Sequence, residues 1–148
     1  MAVLDYYGVF EDGKAVTTTE TTYSSTILDL GIGKNEWDDA VNIDYGVHGD
    51  LWLNVQVDTV FTSTGASTLV VALQDSPSTT SASFVSRLSS ASLTTASLDA
   101  VGDWIMRAPL PMGLLRYIRL AYTVGTTIFT AGAFNAWITN SAEKRADS

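Results

Sequence analysis

The feature that most constrains the fold is a stretch of alternating apolar and polar side chains within residues 107–139. From position 117 onward, alternate side chains would lie on opposite faces of a strand. One face would carry Ile118, Leu120, Tyr122 and Val124, and the other Tyr117, Arg119, Ala121 and Thr123. A period of two predicts a β-strand with one buried face and one wet face. Gly125 lies in the turn that follows, where glycine adopts a positive φ without steric conflict. The return strand repeats the alternation: Phe134, Ala136 and Ile138 against Asn135 and Trp137. We therefore predict a central hairpin of a β-sandwich.

A second pair of strands is predicted in the middle of the chain. Residues 51–58 alternate with Leu51, Leu53, Val55 and Val57 on the inner face. After a connection that contains Thr64-Gly65, residues 68–74 place Leu69, Val71 and Leu73 inward. Two alternating runs separated by a glycine-containing connection are typical of a hairpin.

The whole chain is predicted to form one all-β domain. Turn signals separate about eight short strands, and no segment has the periodicity of a helix longer than two turns, which favours a sandwich or jelly roll. The 148 residues fit a single domain with a substantial core. We divide them into an N-terminal arm at 1–14, a jelly-roll β-sandwich at 15–142 and a C-terminal tail at 143–148.

Composition narrows the class of protein. The chain has no cysteine, so hydrophobic packing alone must stabilise it, without disulfides or thiolate metal sites. Its net charge of −8 argues against nucleic-acid binding, which needs a basic surface. No run approaches the roughly 20 apolar residues of a membrane span. The early Asp5 and the lack of a basic start argue against a signal peptide.

The sequence contains only weak candidates for catalytic or metal-binding motifs. The one histidine, His48, lies in an acidic loop without a second histidine or a cysteine, and no nucleophile motif accompanies it. The same loop offers oxygen ligands without the spacing of a known calcium loop: Glu36, Asp38, Asp39, Asp44 and Asp50. We interpret it as a solvated acidic loop, and we expect neither an enzyme nor a cofactor or metal.

Charge is distributed unevenly along the chain. Residues 104–142 contain three arginines and no acid, whereas residues 29–58 contain seven acids and only Lys34 as a basic residue. Two explanations remain open: the regions pair within the fold, or they meet partners of opposite sign.

Three stretches resemble the capsid cement (decoration) proteins of tailed bacteriophages. They are KAVTTTETTYSSTILDLG at 14–31, LWLNVQVDTVF with TLVVALQDS between 51 and 76, and RAPLPMGLLRYIRLAYTVGTTIFTAG at 107–132. The last is similar to that family's P-L-P-x-G…RYLRL-x-Y-x-V…T-x-G run. The loop at 34–50 is longer than the resemblance implies.

This resemblance implies a jelly roll on the outer surface of the virion capsid, made in the host cytoplasm, that ties neighbouring major capsid subunits together. It also implies a homo-oligomer, with a dimer favoured over a trimer. The alternative is a carbohydrate-binding β-sandwich, in which Trp52 and Trp137 stack on sugar rings. The candidates for capsid or subunit contact are large side chains outside the inner strand faces: Tyr6, Tyr7, Phe10, Trp37, Tyr45, Trp52, Tyr117, Arg119 and Trp137.

Overall fold

Two antiparallel sheets pack face to face in the computed structural model of the protein, which describes residues 9–16, 21–24, 26–30, 32–34, 36–38, 40–42 and 51–139. The first sheet contains β1 (Val9–Ala15), β6 (Trp52–Thr62), β10 (Trp104–Pro109) and β12 (Ala131–Thr139). The second contains β2 (Thr21–Tyr23), β3 (Leu28–Asp29), β7 (Thr68–Ser76), β8 (Val85–Ser89), β9 (Leu93–Thr94) and β11 (Tyr117–Gly125). A separate hairpin joins β4 (Ile32–Lys34) to β5 (Ala40–Asn42).

The strand order is that of a jelly roll. In the first sheet it is β1-β12-β6-β10, and in the second it is β2-β11-β7-β8, with β3 also on β11 and β9 also on β7. If β2 is counted with β3 and β8 with β9, each sheet holds four strand positions, and the eight together follow a double Greek-key order. The predicted all-β, single-domain jelly-roll sandwich is confirmed.

The core lies between the two sheets and contains the inner faces that the alternation predicts. Ten residues were predicted to face inward at positions 51–57, 69–73 and 118–122, and nine of them are buried and belong to one cluster: Leu53, Val55, Val57, Leu69, Val71, Leu73, Ile118, Leu120 and Tyr122. The tenth, Leu51, is half-buried and packs against that cluster. Phe61, Phe129 and Phe134 add aromatic volume, which contributes strongly to the burial that stabilises the sandwich.

Both predicted hairpins are wrong in their pairing. β6 lies in the first sheet and β7 in the second, and β11 and β12 are likewise divided between the sheets. Each short connection therefore passes from one sheet to the other at an end of the sandwich, and the two strands face each other across the core. Alternation shows which face of a strand is buried. It does not show whether the next strand is a hydrogen-bonded neighbour or lies in the opposite sheet, because the pattern is identical in the two cases.

The predicted N-terminal arm is wrong for residues 9–14, because they form most of edge strand β1. β1 pairs with β12, and its register shifts on both sides of Glu11. Gly13 lies at this irregularity: it has a φ of +68°, and its N–H donates to Asn135 Oδ1 at 2.5 Å. Phe10, proposed as a contact to another subunit, is 1% exposed and packs in the core of its own domain. Residues 1–8 of the arm and the tail at 143–148 lie outside the described residues.

Candidate functional site

Two loops leave the sandwich side by side at one end, which we call the loop end. The first is segment 30–51, which carries the β4–β5 hairpin, and the second is the loop at 110–116 between β10 and β11. At one base, Leu30 N–H donates to the Arg116 carbonyl at 2.8 Å. At the other base, Leu110 N–H donates to the Leu51 carbonyl at 2.9 Å. The two loops are therefore joined to each other at both of their bases.

An ion pair reinforces the first of these junctions. Arg116 donates from Nε to Asp29 Oδ1 at 2.8 Å and from Nη2 to Oδ2 at 2.9 Å, the forked geometry that arginine forms with carboxylates. Its guanidinium carbon also lies 5.0 Å from the centre of the Tyr117 ring. The hydrogen bonds to Asp29 raise the pKa of Arg116. One basic residue of the C-terminal region thus pairs with one acid of the 29–58 region inside the fold.

The loop end presents the two most exposed large apolar side chains among the described residues. Trp37, in the turn between β4 and β5, is 74% exposed, and Met112, in the other loop, is 72% exposed. Glu36 and Asp38 on either side of Trp37 are also exposed. We call residues 36–38 the hairpin tip. An exposed indole between two carboxylates combines an apolar anchor with a negative border, which suits protein recognition.

The other predicted contact residues divide into two groups. Trp52 and Tyr117 are half-buried and lie at the loop end, where Trp52 pairs with Pro109 and Tyr117 pairs with Asp29. Arg119 and Trp137 are buried within the protein, at 4% and 1% exposure. Tyr6, Tyr7 and Tyr45 lie outside the described residues. Trp37, Trp52 and Tyr117 therefore lie at the loop end, whereas Arg119 and Trp137 are buried and not available at the surface.

Arg119 is enclosed on the outer face of the second sheet. Its guanidinium carbon lies 3.6 Å from the centre of the Tyr23 ring and 4.0 Å from that of Phe84. It donates to Gln74 Oε1 at 2.9 Å, to Ser81 Oγ at 3.0 Å and to the Ser81 carbonyl at 3.2 Å. Burial lowers the pKa of this guanidinium. These contacts fasten β2 and the loop after β7 onto β11, so Arg119 has a structural role.

Trp137 belongs to a buried cluster on the outer face of the first sheet. Its ring centre lies 6.2 Å from that of Trp104, and Arg107 stacks over Trp104 at 5.0 Å. Asn54, opposite Trp137 on β6, is also fully buried. Among the described residues, three buried polar atoms lack a hydrogen-bond partner: Asn54 Oδ1, Trp104 Nε1 and Trp137 Nε1. The predicted wet aromatic face is therefore wrong for Trp137, because the outer face of this sheet is covered there.

Sequence reasoning missed Met112 and the Asp29–Arg116 pair. Met112 lies in a P-M-G sequence, and a large apolar residue between two loop-forming residues is the signal that pointed to exposure. The ion pair joins residues far apart in the chain, and no local pattern reveals it. The remaining large exposed apolar residues of the described part lie elsewhere: Tyr23, Ile27, Val85, Val101 and Ile128.

No group of three or more potential metal ligands comes together in the part of the chain that the structure describes. Asp39, Asp44, His48 and Asp50 of the acidic loop lie outside that part. Within the same limits, no helix has the length and apolar character needed to cross a membrane.

Comparison with known proteins identifies the family of the chain. The strand order and the loop end define a jelly-roll protein with a candidate protein-recognition surface. The sequence model of the Bbp16 family matches residues 10–138, which cover nearly the whole sandwich. The chain therefore belongs to the Bbp16 family, a phage-related family. No curated protein matched the chain.

Proposed function

We propose that this protein is a capsid cement (decoration) protein of a tailed bacteriophage. It binds the outside of the icosahedral shell and ties neighbouring major capsid subunits together. The observation that carries the proposal is the match to a phage-related family over residues 10–138, which spans every strand of both sheets except the first residue of β1 and the last of β12. The three stretches that resemble cement proteins lie within or close to this range and supply strands of both sheets.

The architecture suits a structural role on a shell. Both sheets are closely packed, and the large apolar residues between them are buried in one cluster. The loop end, by contrast, presents Trp37 and Met112 to solvent on loops fixed at their bases. A capsid repeats one small interface many times, so that a modest contact in each copy is multiplied by multivalency.

The proposal includes self-association, with a dimer favoured over a trimer. Large side chains on the outward faces of strands favour such an interface, but Trp137 does not contribute to it because it is buried. Trp52 and Tyr117 remain half-buried at the loop end. Sedimentation at micromolar concentrations tests this part on its own, and a chain that stays monomeric up to tens of micromolar contradicts it.

The alternative of a carbohydrate-binding module is less well supported. It required Trp52 and Trp137 to stack on sugar rings, but Trp137 is 1% exposed and packs against Trp104. A buried indole offers no face to a ligand. Retention of the protein on a glycan column would revive this alternative.

The test is binding to capsids that lack the protein. Purified full-length chain is titrated onto such capsids and the bound amount is measured by co-sedimentation. We expect saturation at a fixed number of copies per shell, and decorated shells that resist heat or chaotropes better than bare ones. Absence of saturable binding, or binding that leaves shell stability unchanged, contradicts the proposal.

A further inference from the structure

We propose that the hairpin tip, residues 36–38, is an anchor that inserts Trp37 into an apolar pocket with a basic border on the shell subunit. This inference rests on the proposed function and adds the chemistry of the contact. The partner is a protein surface whose pocket accepts an indole and whose edge carries lysine or arginine side chains.

The first argument is the exposure of Trp37. At 74% exposure, most of its ring faces water, although an indole is among the largest apolar surfaces that a protein can bury. Tryptophan is also strongly enriched among the few residues that carry most of the binding energy in protein interfaces. Met112 on the loop that is joined to the bases of this segment is 72% exposed and offers a second, flexible apolar side chain at the loop end.

The second argument is the charge around the tip. Glu36 and Asp38 are exposed, and residues 29–58 contain seven acids against Lys34. Arg116, the basic residue that lies at the base of this segment, already holds Asp29 in a forked ion pair. The tip therefore presents negative charge, which favours a partner with a positive border and repels one with a negative border.

The third argument is that strand pairing shapes the tip before binding. β4 and β5 pair through Ile32 with Asn42, Gly33 with Val41 and Lys34 with Ala40. Asp38 closes the turn with a φ of +65°, a conformation in which Asp and Asn are favoured over most residues. Both bases of the segment are hydrogen-bonded to the loop at 110–116. A contact residue on such a support loses little conformational entropy on binding.

The main experiment compares Trp37→Ala with Ile128→Ala in binding to capsids that lack the protein. Ile128 is a matched control because it is an exposed apolar residue in the turn between β11 and β12, at the opposite end of the sandwich. We expect Trp37→Ala to weaken binding roughly thirty-fold, the loss that defines an interface hot spot, and Ile128→Ala to bind like the wild type. Unchanged thermal unfolding of both variants shows that the fold is retained.

A second pair of variants tests the charge of the border. The double variant Glu36→Gln with Asp38→Asn removes both charges and keeps a residue that tolerates positive φ at position 38. Asp99→Asn, an exposed acid near the other end of β6, is the control. We expect the double variant to bind a few-fold more weakly at low salt and with a smaller salt dependence, and the control to match the wild type.

The possible outcomes distinguish a failure of this inference from a failure of the proposed function on which it rests. If the wild type saturates the capsids and Trp37→Ala binds equally well, the inference is wrong and the proposed function stands. If the double variant binds more tightly than the wild type, the border of the pocket is acidic and the inference is also wrong. If the wild type does not bind capsids, both the proposed function and this inference fall.

Discussion

The guanidinium of Arg119 lies over the ring of Tyr23, with its central carbon 3.6 Å from the centre of that ring and 4.0 Å from the centre of the Phe84 ring. An arginine in such a position stacks on two rings and still donates hydrogen bonds from its edge. Because the two rings come from strand β2 and from the end of the loop after β7, the side chain holds three parts of the chain together.

We predict that Arg119→Lys lowers the free energy of unfolding by about 2–4 kcal/mol. A lysine keeps the charge but loses the planar stacking and the hydrogen bonds to Gln74 and Ser81. Urea denaturation measures the change. The control is Arg107→Lys, at an exposed arginine that stacks on Trp104, for which we expect less than about 1 kcal/mol. Equal effects at the two positions contradict the role assigned to Arg119.

Gly132 is predicted to be intolerant of any side chain. Its φ is +144°, and a Cβ built on it would collide with the Phe61 ring in the core. Gly113 is the control, because its φ is +77° but a Cβ there meets nothing within 4 Å. We expect Gly113→Ala to cost about 1–2 kcal/mol from the positive φ alone and Gly132→Ala to cost more, since the clash adds about 1–3 kcal/mol. Chemical denaturation that ranks the two variants the other way contradicts the packing described for Phe61.

Leu120 tests the sandwich core. It is fully buried on the inner face of β11, and its replacement by alanine leaves a cavity between the sheets. We expect Leu120→Ala to lower the free energy of unfolding by about 2–5 kcal/mol, from lost transfer energy and the cavity. Val101→Ala, at an exposed position, should change it by less than about 0.5 kcal/mol. A small effect at Leu120 would mean that the two sheets are not packed as described.

Alkaline pH should destabilise the protein through Tyr122. Burial, together with the nearby Glu11 carboxylate that accepts its hydrogen bond at 3.2 Å, raises the pKa of Tyr122 well above its ordinary value of 10.0. The folded state therefore keeps the phenol neutral, while the unfolded chain ionises it near its ordinary value. The stabilisation is complete below about pH 10 and falls as the pH rises above that value, towards the folded-state pKa.

The variant Tyr122→Phe separates this effect from other titrations. It loses the hydrogen bonds to Glu11 and to the Tyr23 carbonyl, so it is less stable at neutral pH. Its stability should nevertheless depend less steeply on pH above about pH 10 than that of the wild type, because one proton fewer is released on unfolding. Parallel slopes for the wild type and Tyr122→Phe contradict the assignment.

Alternation predicted the inner faces of the long strands but not their neighbours. Leu53 and Leu69 both face inward as predicted, yet their strands lie on opposite sheets. Burial on one face is a local property with a period of two, whereas pairing depends on contacts between distant strands. At Phe10 the local pattern itself failed, because the irregular register around Glu11 and Gly13 breaks the alternation of β1.

Among the candidate contact residues, the sequence was informative only where exposure follows from a local turn. Trp37 lies in a turn between two short strands, and its exposure follows from that position. Arg119 and Trp137 were assigned to outer faces of sheets, but Tyr23 and Phe84 cover one and Trp104 packs against the other. Such coverage involves residues far apart in sequence, so alternation cannot reveal it.

The central claim is that the protein decorates the outside of a phage shell, and a density map of particles that carry the full-length chain tests it most directly. The account predicts jelly-roll density on the outer surface of the capsid, bridging neighbouring major capsid subunits at regular positions of the lattice. Density confined to the interior or to the tail, or a shell surface with no added density at saturating protein, would contradict it.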